Sequence, residues 1–161
     1  MGEKINDSGP TVWYHSRVVA SQKMKFWEAR KNAAKAIGVG ESTLYSVEKG
    51  DRQPLPDEVS GMARIYCMPE LGPLYCHDYC PLGHDVPKVQ STNLDQICVR
   101  FYNASKNVLE ARDTLMTVAK DGLDSFGALR KLEEVISDCQ GVNQSLQDMK
   151  VLVGRRRLEG N

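Results

Sequence analysis

Five side chains capable of metal or redox chemistry crowd one short stretch. Cys67, Cys76, His77, Cys80 and His84 fall within eighteen residues. Thiolate and imidazole are the usual zinc ligands, and Cys67, Cys76, Cys80 and His84 could close a tetrahedral site. The spacing Cys76-x3-Cys80-x3-His84 is not the paired Cys-x2-Cys pattern, however. On a helix, Cys76 and Cys80 would share one face and serve as small buried side chains. Tyr66, Tyr75 and Tyr79 nearby favour such packing over zinc, with redox pairing of Cys76 and Cys80 as a third reading. The expectation is therefore no cofactor. Two of the three histidines lie in this cluster, which leaves little for acid–base work. There is no Gly-rich phosphate loop, no Ser/His/Asp set and no Glu-x-x-His pattern, so the chain reads as a non-enzyme.

A second group of residues suits recognition. Ser42 and Thr43 stand side by side just ahead of an apolar pair, Leu44 and Val47. Hydroxyls at the start of an exposed helix reach base edges and phosphates. The elements that must present them are two short helices and a turn. Ala33 and Ala34 are small enough for close helix crossing. Gly38 permits the turn, Leu44 and Val47 anchor the second helix, and Gly50 ends it. Glu48, near that helix's end, suits a salt bridge tying neighbouring helices.

Around this core the spacing predicts further helices. One starts at Thr11, with Val12, Val18 and Val19 facing inward and Met24 near its end. The next runs from about Trp27 to Ile37, and the third from Glu41 to Lys49. Pro56-Asp57-Glu58 opens a fourth, continuing through Tyr66 and Cys67 towards Pro69, where a short helical turn begins. Residues 1–10 read as a disordered leader and 73–93 as an irregular Cys/His/Pro connector. Leu94, Ile97, Phe101, Ala104, Val108, Ala111, Leu115 and Val118 form one long apolar seam, interrupted at Asp121-Gly122. Leu129, Leu132, Ile136, Cys139, Leu146 and Val153 form a second, weakened by Asn143 and Lys150. Two such helices should fold back as an antiparallel hairpin over 94–153, with Cys98 and Cys139 as core residues and a basic tail at 154–161.

Gly38-Val39-Gly40-Glu41-Ser42-Thr43-Leu44-Tyr45-Ser46-Val47-Glu48-Lys49-Gly50 resembles the core motif of Cro/CI-type (XRE-family) helix-turn-helix regulators. Asp51-Arg52-Gln53-Pro54 and Val59-x-x-Met62-Ala63 resemble the loop and helix that follow it, so the likeness spans roughly residues 12–72. Residues 62–71, Tyr75-Cys76 and Cys80-Pro81-Leu82-Gly83 are similar to a subgroup of bacterial mobile elements with a Cys-containing connector and a C-terminal helical hairpin. The resemblance implies an all-α fold, with a lambda-repressor-like domain over 11–72 and a hairpin for dimerisation or partner binding. It implies a sequence-specific DNA-binding regulator, a repressor from a mobile element or phage, acting on double-stranded DNA as a homodimer. By position it implies base contacts from Glu41, Ser42, Thr43 and Ser46, with Tyr45 beside them, and phosphate contacts from Lys49, Arg52 and Arg30.

Charge complicates that expectation. The chain carries 21 Lys/Arg and 21 Asp/Glu. Only residues 11–64 are basic, with nine Lys/Arg against six Asp/Glu, and Glu41 is acidic where it would approach phosphate. An alternative is therefore a helix-turn-helix module that inhibits or recruits another protein, and a bland one is a plain helical bundle. Trp13, Phe26 and Trp27 form either a single-strand stacking platform or packing, with packing favoured. Arg155-Arg156-Arg157 reads as a solvated tail before it reads as a phosphate contact. Five cysteines, an odd number, without a secretion signal suggest reduced thiols; with no apolar run long enough to cross a membrane, the expected location is the cytoplasm.

Overall fold

The computed structural model describes residues 11–83, 85–124 and 126–160; the expected leader at 1–10 lies outside them. The described residues form α-helices and one 3-10 turn, with no strand. They divide into two compact units after Gly83, within the stretch expected to be a connector.

The first unit holds α1 (Val12–Lys23), a 3-10 turn (Lys25–Glu28), α2 (Arg30–Ile37), α3 (Glu41–Lys49), α4 (Pro56–Ile65) and α5 (Leu71–Tyr79). Thr11 caps α1 by accepting from the Tyr14 N–H, and its hydroxyl donates to the Glu48 carbonyl at 2.7 Å. One side chain thus caps a helix and ties it to the end of α3. The buried face of α1 is Trp13, Ser16, Arg17 and Ala20; of the expected Val12, Val18 and Val19, Val12 packs half-buried against the core and Val19 is exposed. The cause is Arg17, whose charge is drawn inward by a buried partner on α3.

Gly38 (φ 91°) and Gly50 (φ 83°) terminate α2 and α3 in the left-handed region, as expected. α2 starts at Arg30 instead of Trp27, because Lys25–Glu28 winds as a 3-10 turn. α4 opens at Pro56, with Glu58 accepting from the Leu55 N–H. It stops at Ile65, earlier than expected. Cys67 takes φ 55°, and the Met68 N–H returns to the Ala63 carbonyl to close the end. The first part of the expected irregular connector, 73–79, belongs to α5. Its Tyr75 and Tyr79 rings lie 6.5 and 5.7 Å from Trp13, so α5 completes the core with Leu44, Val47, Val59, Met62, Tyr66 and Leu71. Gly83 then presses against α5, where a Cβ would sit 1.7 Å from the Cys76 carbonyl oxygen.

The second unit holds α6 (Leu94–Asp121) and α7 (Ala128–Glu159). Asn93 caps α6 through the Gln96 N–H, and Gly122 ends it. Cross-helix pairs run antiparallel: Arg100 to Asp148, Asn107 to Asp138 and Ala104 to Gly141. α6 buries Ile97, Ala111 and Val118, which lie on the expected seam. α7 does not follow expectation. Its buried residues are Ala128, Val135, Ser145, Asp148 and Val151, whereas Leu129, Ile136, Cys139, Leu146 and Val153 are exposed. Cys98 is exposed as well, so neither cysteine of this unit is a core residue. The physical reason is close approach. A Cβ on Gly141 would meet that of Ala104 at 3.0 Å, so only small side chains fit where the two helices approach there, and Cys139 and Leu146 on either side are turned out. The expected basic tail is helical through Arg155, Arg156 and Arg157. The segment before α6 is strapped to α7: Gln144 Nε2 donates to the Lys88 carbonyl at 2.6 Å, and the Gln90 N–H to Asp148 Oδ1 at 2.9 Å.

Candidate functional site

α3 is built with two sides. Leu44, Val47 and Glu48 are buried, at the i, i+3, i+4 spacing of one helix face. That leaves Glu41, Ser42, Tyr45 and Lys49 exposed on the outward face, with Ser46 half-buried beside them. The Ser46 hydroxyl donates back to the Ser42 carbonyl at 3.1 Å, so it faces a partner only as an acceptor. Thr43 is half-buried and lines a dip with Ile37, Val39, Glu58 and Met62, which turns it from the outward row. Gly40 precedes α3 and offers no side-chain cap to the first-turn N–H groups.

A buried ionic clamp holds this face. Glu48 is 3% exposed. Its Oε1 accepts from Arg17 Nε at 2.6 Å, and its Oε2 from Arg17 Nη2 at 3.0 Å and Arg30 Nε at 2.9 Å. Arg17 Nη1 donates further to the Glu28 and Trp27 carbonyls, at 2.8 and 3.3 Å. The hydrogen bond to Glu48 raises the Arg17 pKa against the opposing effect of burial, so the residue stays a cation. Glu48 thus ties neighbouring helices, as its position suggests, but the principal partner is Arg17, which sequence reasoning missed. The only signal was a cation set immediately before Val18, Val19 and Ala20 in α1. Beside the pair sits the Tyr66 hydroxyl, buried without a hydrogen-bond partner; desolvation and the Glu48 charge both push its pKa up.

Arg30 is drawn into the same assembly. Its guanidinium lies 4.8 Å from the Tyr45 ring centroid while Nε bonds Glu48. Arg30, Tyr45 and Glu48 therefore form one rigid flank of α3. Arg52 pairs with Glu58 at the start of α4, and Lys49 lies 3.5 Å from Asp51. All three cations expected on phosphates, Arg30 among them, thus have acidic neighbours. Lys31 and Lys35, four residues apart on α2, are exposed and were not singled out from sequence.

The other candidate groups separate. Trp13 is a core residue, Trp27 packs on the core, and Phe26 is exposed with its ring 4.9 Å from Trp27. They do not form a shared platform. Cys67, Cys76 and Cys80 are half-buried thiols outside any disulfide, and His84 lies outside the described residues. Among the described residues no three His, Cys, Asp or Glu side chains are grouped to hold a metal. No helix among them is long and apolar enough to cross a membrane. Compared with known proteins, the chain matches no family model, no curated protein and no solved structure.

Proposed function

We propose that this chain is a sequence-specific DNA-binding transcriptional regulator of the Cro/CI type, a cytoplasmic repressor whose α2–turn–α3 is a helix-turn-helix. The observation that carries this reading is the division of α3. Its inner side is locked by Leu44, Val47 and the Arg17–Glu48–Arg30 clamp, and its outer side offers Ser42, Tyr45 and Ser46 on a short rigid helix. A helix of that length, held by its neighbours and polar outward, fits the major groove. Lys31 and Lys35 add exposed cations on α2 for the flanking backbone. Residues 94–159 serve a second copy or another partner. One small module makes few contacts, and two half-sites multiply them.

A gel shift with DNA from upstream of its own gene, across a salt series, tests the proposal. Binding that weakens steeply with salt is expected. Replacing Ser42→Ala together with Ser46→Ala should leave the helical content unchanged. It should weaken operator binding by about 1–3 kcal/mol for each base edge that is no longer read. Unchanged affinity in that variant counts against α3 as the reading element.

One observation favours a second reading, a helix-turn-helix that binds protein. Glu41 is exposed at the start of α3, and Arg52 and Lys49 are paired with Glu58 and Asp51, which leaves the face nearly neutral. Absence of any salt-dependent DNA binding would favour it.

A further inference from the structure

α3 lacks the side chains that grip a base with two hydrogen bonds. Its sequence, Glu41-Ser42-Thr43-Leu44-Tyr45-Ser46-Val47-Glu48-Lys49, contains no arginine, asparagine or glutamine. Those residues pair with guanine O6 and N7 or with adenine N6 and N7. The cations nearby are committed elsewhere. Arg30 Nε bonds Glu48, and Arg52 pairs with Glu58. Lys49 is the last residue of α3 and lies 3.5 Å from Asp51. Base edges are met by the first turns of a reading helix, not by its end.

What the outward face does offer is acceptors and one ring. Glu41 presents an exposed carboxylate. Ser46 presents lone pairs, since its proton goes to the Ser42 carbonyl. Ser42 adds a single hydroxyl, which makes one bond of either kind but no fork. Tyr45 is the one large apolar side chain of α3 left exposed, at 47%. Its ring is held in place. The Arg30 guanidinium lies 4.8 Å from the ring centroid, and Glu48 fixes Arg30. A ring fixed before contact loses little freedom on docking. Glu41 and Tyr45 are one turn apart, so their Cβ atoms stand about 6 Å from each other. Two base-pair steps of about 3.4 Å cover that distance.

We infer that α3 reads a thymine methyl group through Tyr45 and an exocyclic amino group through Glu41, and does not read guanine. The inference rests on the regulator reading and names the bases that its face accepts. In the major groove thymine alone offers a methyl, and adenine and cytosine alone offer an amino donor. The Tyr45 ring supplies apolar contact for the first, and the Glu41 carboxylate an acceptor for the second. Guanine turns two acceptors, O6 and N7, toward the same groove. They repel a carboxylate, and no donor fork on α3 offsets that repulsion. Each recognised half-site therefore places a thymine within two base pairs of an adenine or a cytosine.

Duplexes selected by the full chain from a random library, then rebuilt with base analogues, test this. Uracil in place of the contacted thymine removes only the methyl. It should weaken binding about fourfold, the worth of one buried methyl-sized group. 7-Deazaguanine in place of every guanine removes N7 and should leave affinity within about twofold. Tyr45→Ala alters an exposed position, so it should keep its helical content and lose the uracil penalty. Glu41→Ala should accept guanine at a position where the wild type rejects it by about tenfold. Uracil tolerated at every thymine overturns the inference. So does a loss with 7-deazaguanine as large as a missing base contact. A uracil penalty retained in Tyr45→Ala, or a guanine rejection retained in Glu41→Ala, overturns the residue assigned. Should Tyr45→Ala lose helix, the analogue series on the wild type decides. Absence of binding to any duplex ends the regulator reading and this inference with it, whereas binding indifferent to uracil ends this inference alone.

Discussion

Replacing Glu48→Leu should remove much of the first unit's stability margin. The substitution deletes the acceptor of three charge-assisted hydrogen bonds. It leaves Arg17, with 7% of its side chain exposed, as a buried cation whose remaining partners are two carbonyls. Without Glu48, burial pulls the Arg17 pKa down, but a guanidinium does not shed its proton in a protein, so the charge stays and is uncompensated. Breaking a buried pair on one side costs about 3–5 kcal/mol. Against a typical domain stability of about 5–15 kcal/mol, that is a large fraction. It corresponds to a fall in Tm of roughly 15–30 °C for a unit of this size. Arg30→Met should cost less, about 1 kcal/mol, because that side chain is 28% exposed and water replaces its partner. The double variant Arg17→Met with Glu48→Leu removes both charges and should return to within about 1 kcal/mol of the wild type. Urea unfolding followed by tryptophan fluorescence reads this cleanly. Both tryptophans, Trp13 and Trp27, lie in the first unit. The reasoning fails if Glu48→Leu costs under about 1 kcal/mol, or if the double variant is as unstable as the two single effects added together.

Three further outcomes follow from other contacts. Tyr66→Phe deletes a buried hydroxyl that has no partner, so stability should hold or rise by about 1 kcal/mol, and a fall of that size in a thermal melt would reveal a hidden partner. Asp148→Ala removes the acceptor for Gln90, Gln144 and Arg100 and should cost about 2–3 kcal/mol, discounted because Arg100 is 30% exposed. It should also speed protease cleavage around residues 86–92, and unchanged cleavage would show that the strap is held elsewhere. Gly83→Ala forces a Cβ against the Cys76 backbone, so the turn must leave α5 at a cost of about 1–3 kcal/mol. Faster reaction of Cys76 and Cys80 with a thiol reagent would report the displacement, and unchanged rates would contradict it.

The candidate site was largely legible before the fold was known, because its signals are local. Gly38 and Gly50 mark the left-handed ends of α2 and α3, and the predicted span of α3, Glu41 to Lys49, is the span observed. Leu44 and Val47 were correctly placed inward for the same reason. Arg17 was not legible. A charged residue turns inward only when a partner elsewhere in the chain compensates it, and Glu48 is 31 residues away. α5 escaped notice because Gly72 and Pro73 look like loop, whereas packing on Trp13 outweighs their poor helix propensity.

What the sequence alone determined, then, is the helical character of the described chain, the turn before α3 and most of its outward row, Thr43 excepted. Each follows from backbone preferences and nearest-neighbour spacing. What only tertiary structure decided is which face each long helix buries. Hydrophobic periodicity in α7 points to Leu129, Leu132 and Ile136, yet the helix turns Ala128, Val135 and Ser145 inward. Two closely approaching helices select small side chains at their seam. The large ones it excludes, evident in the sequence as a stripe, acquire a direction only when the second helix is in place.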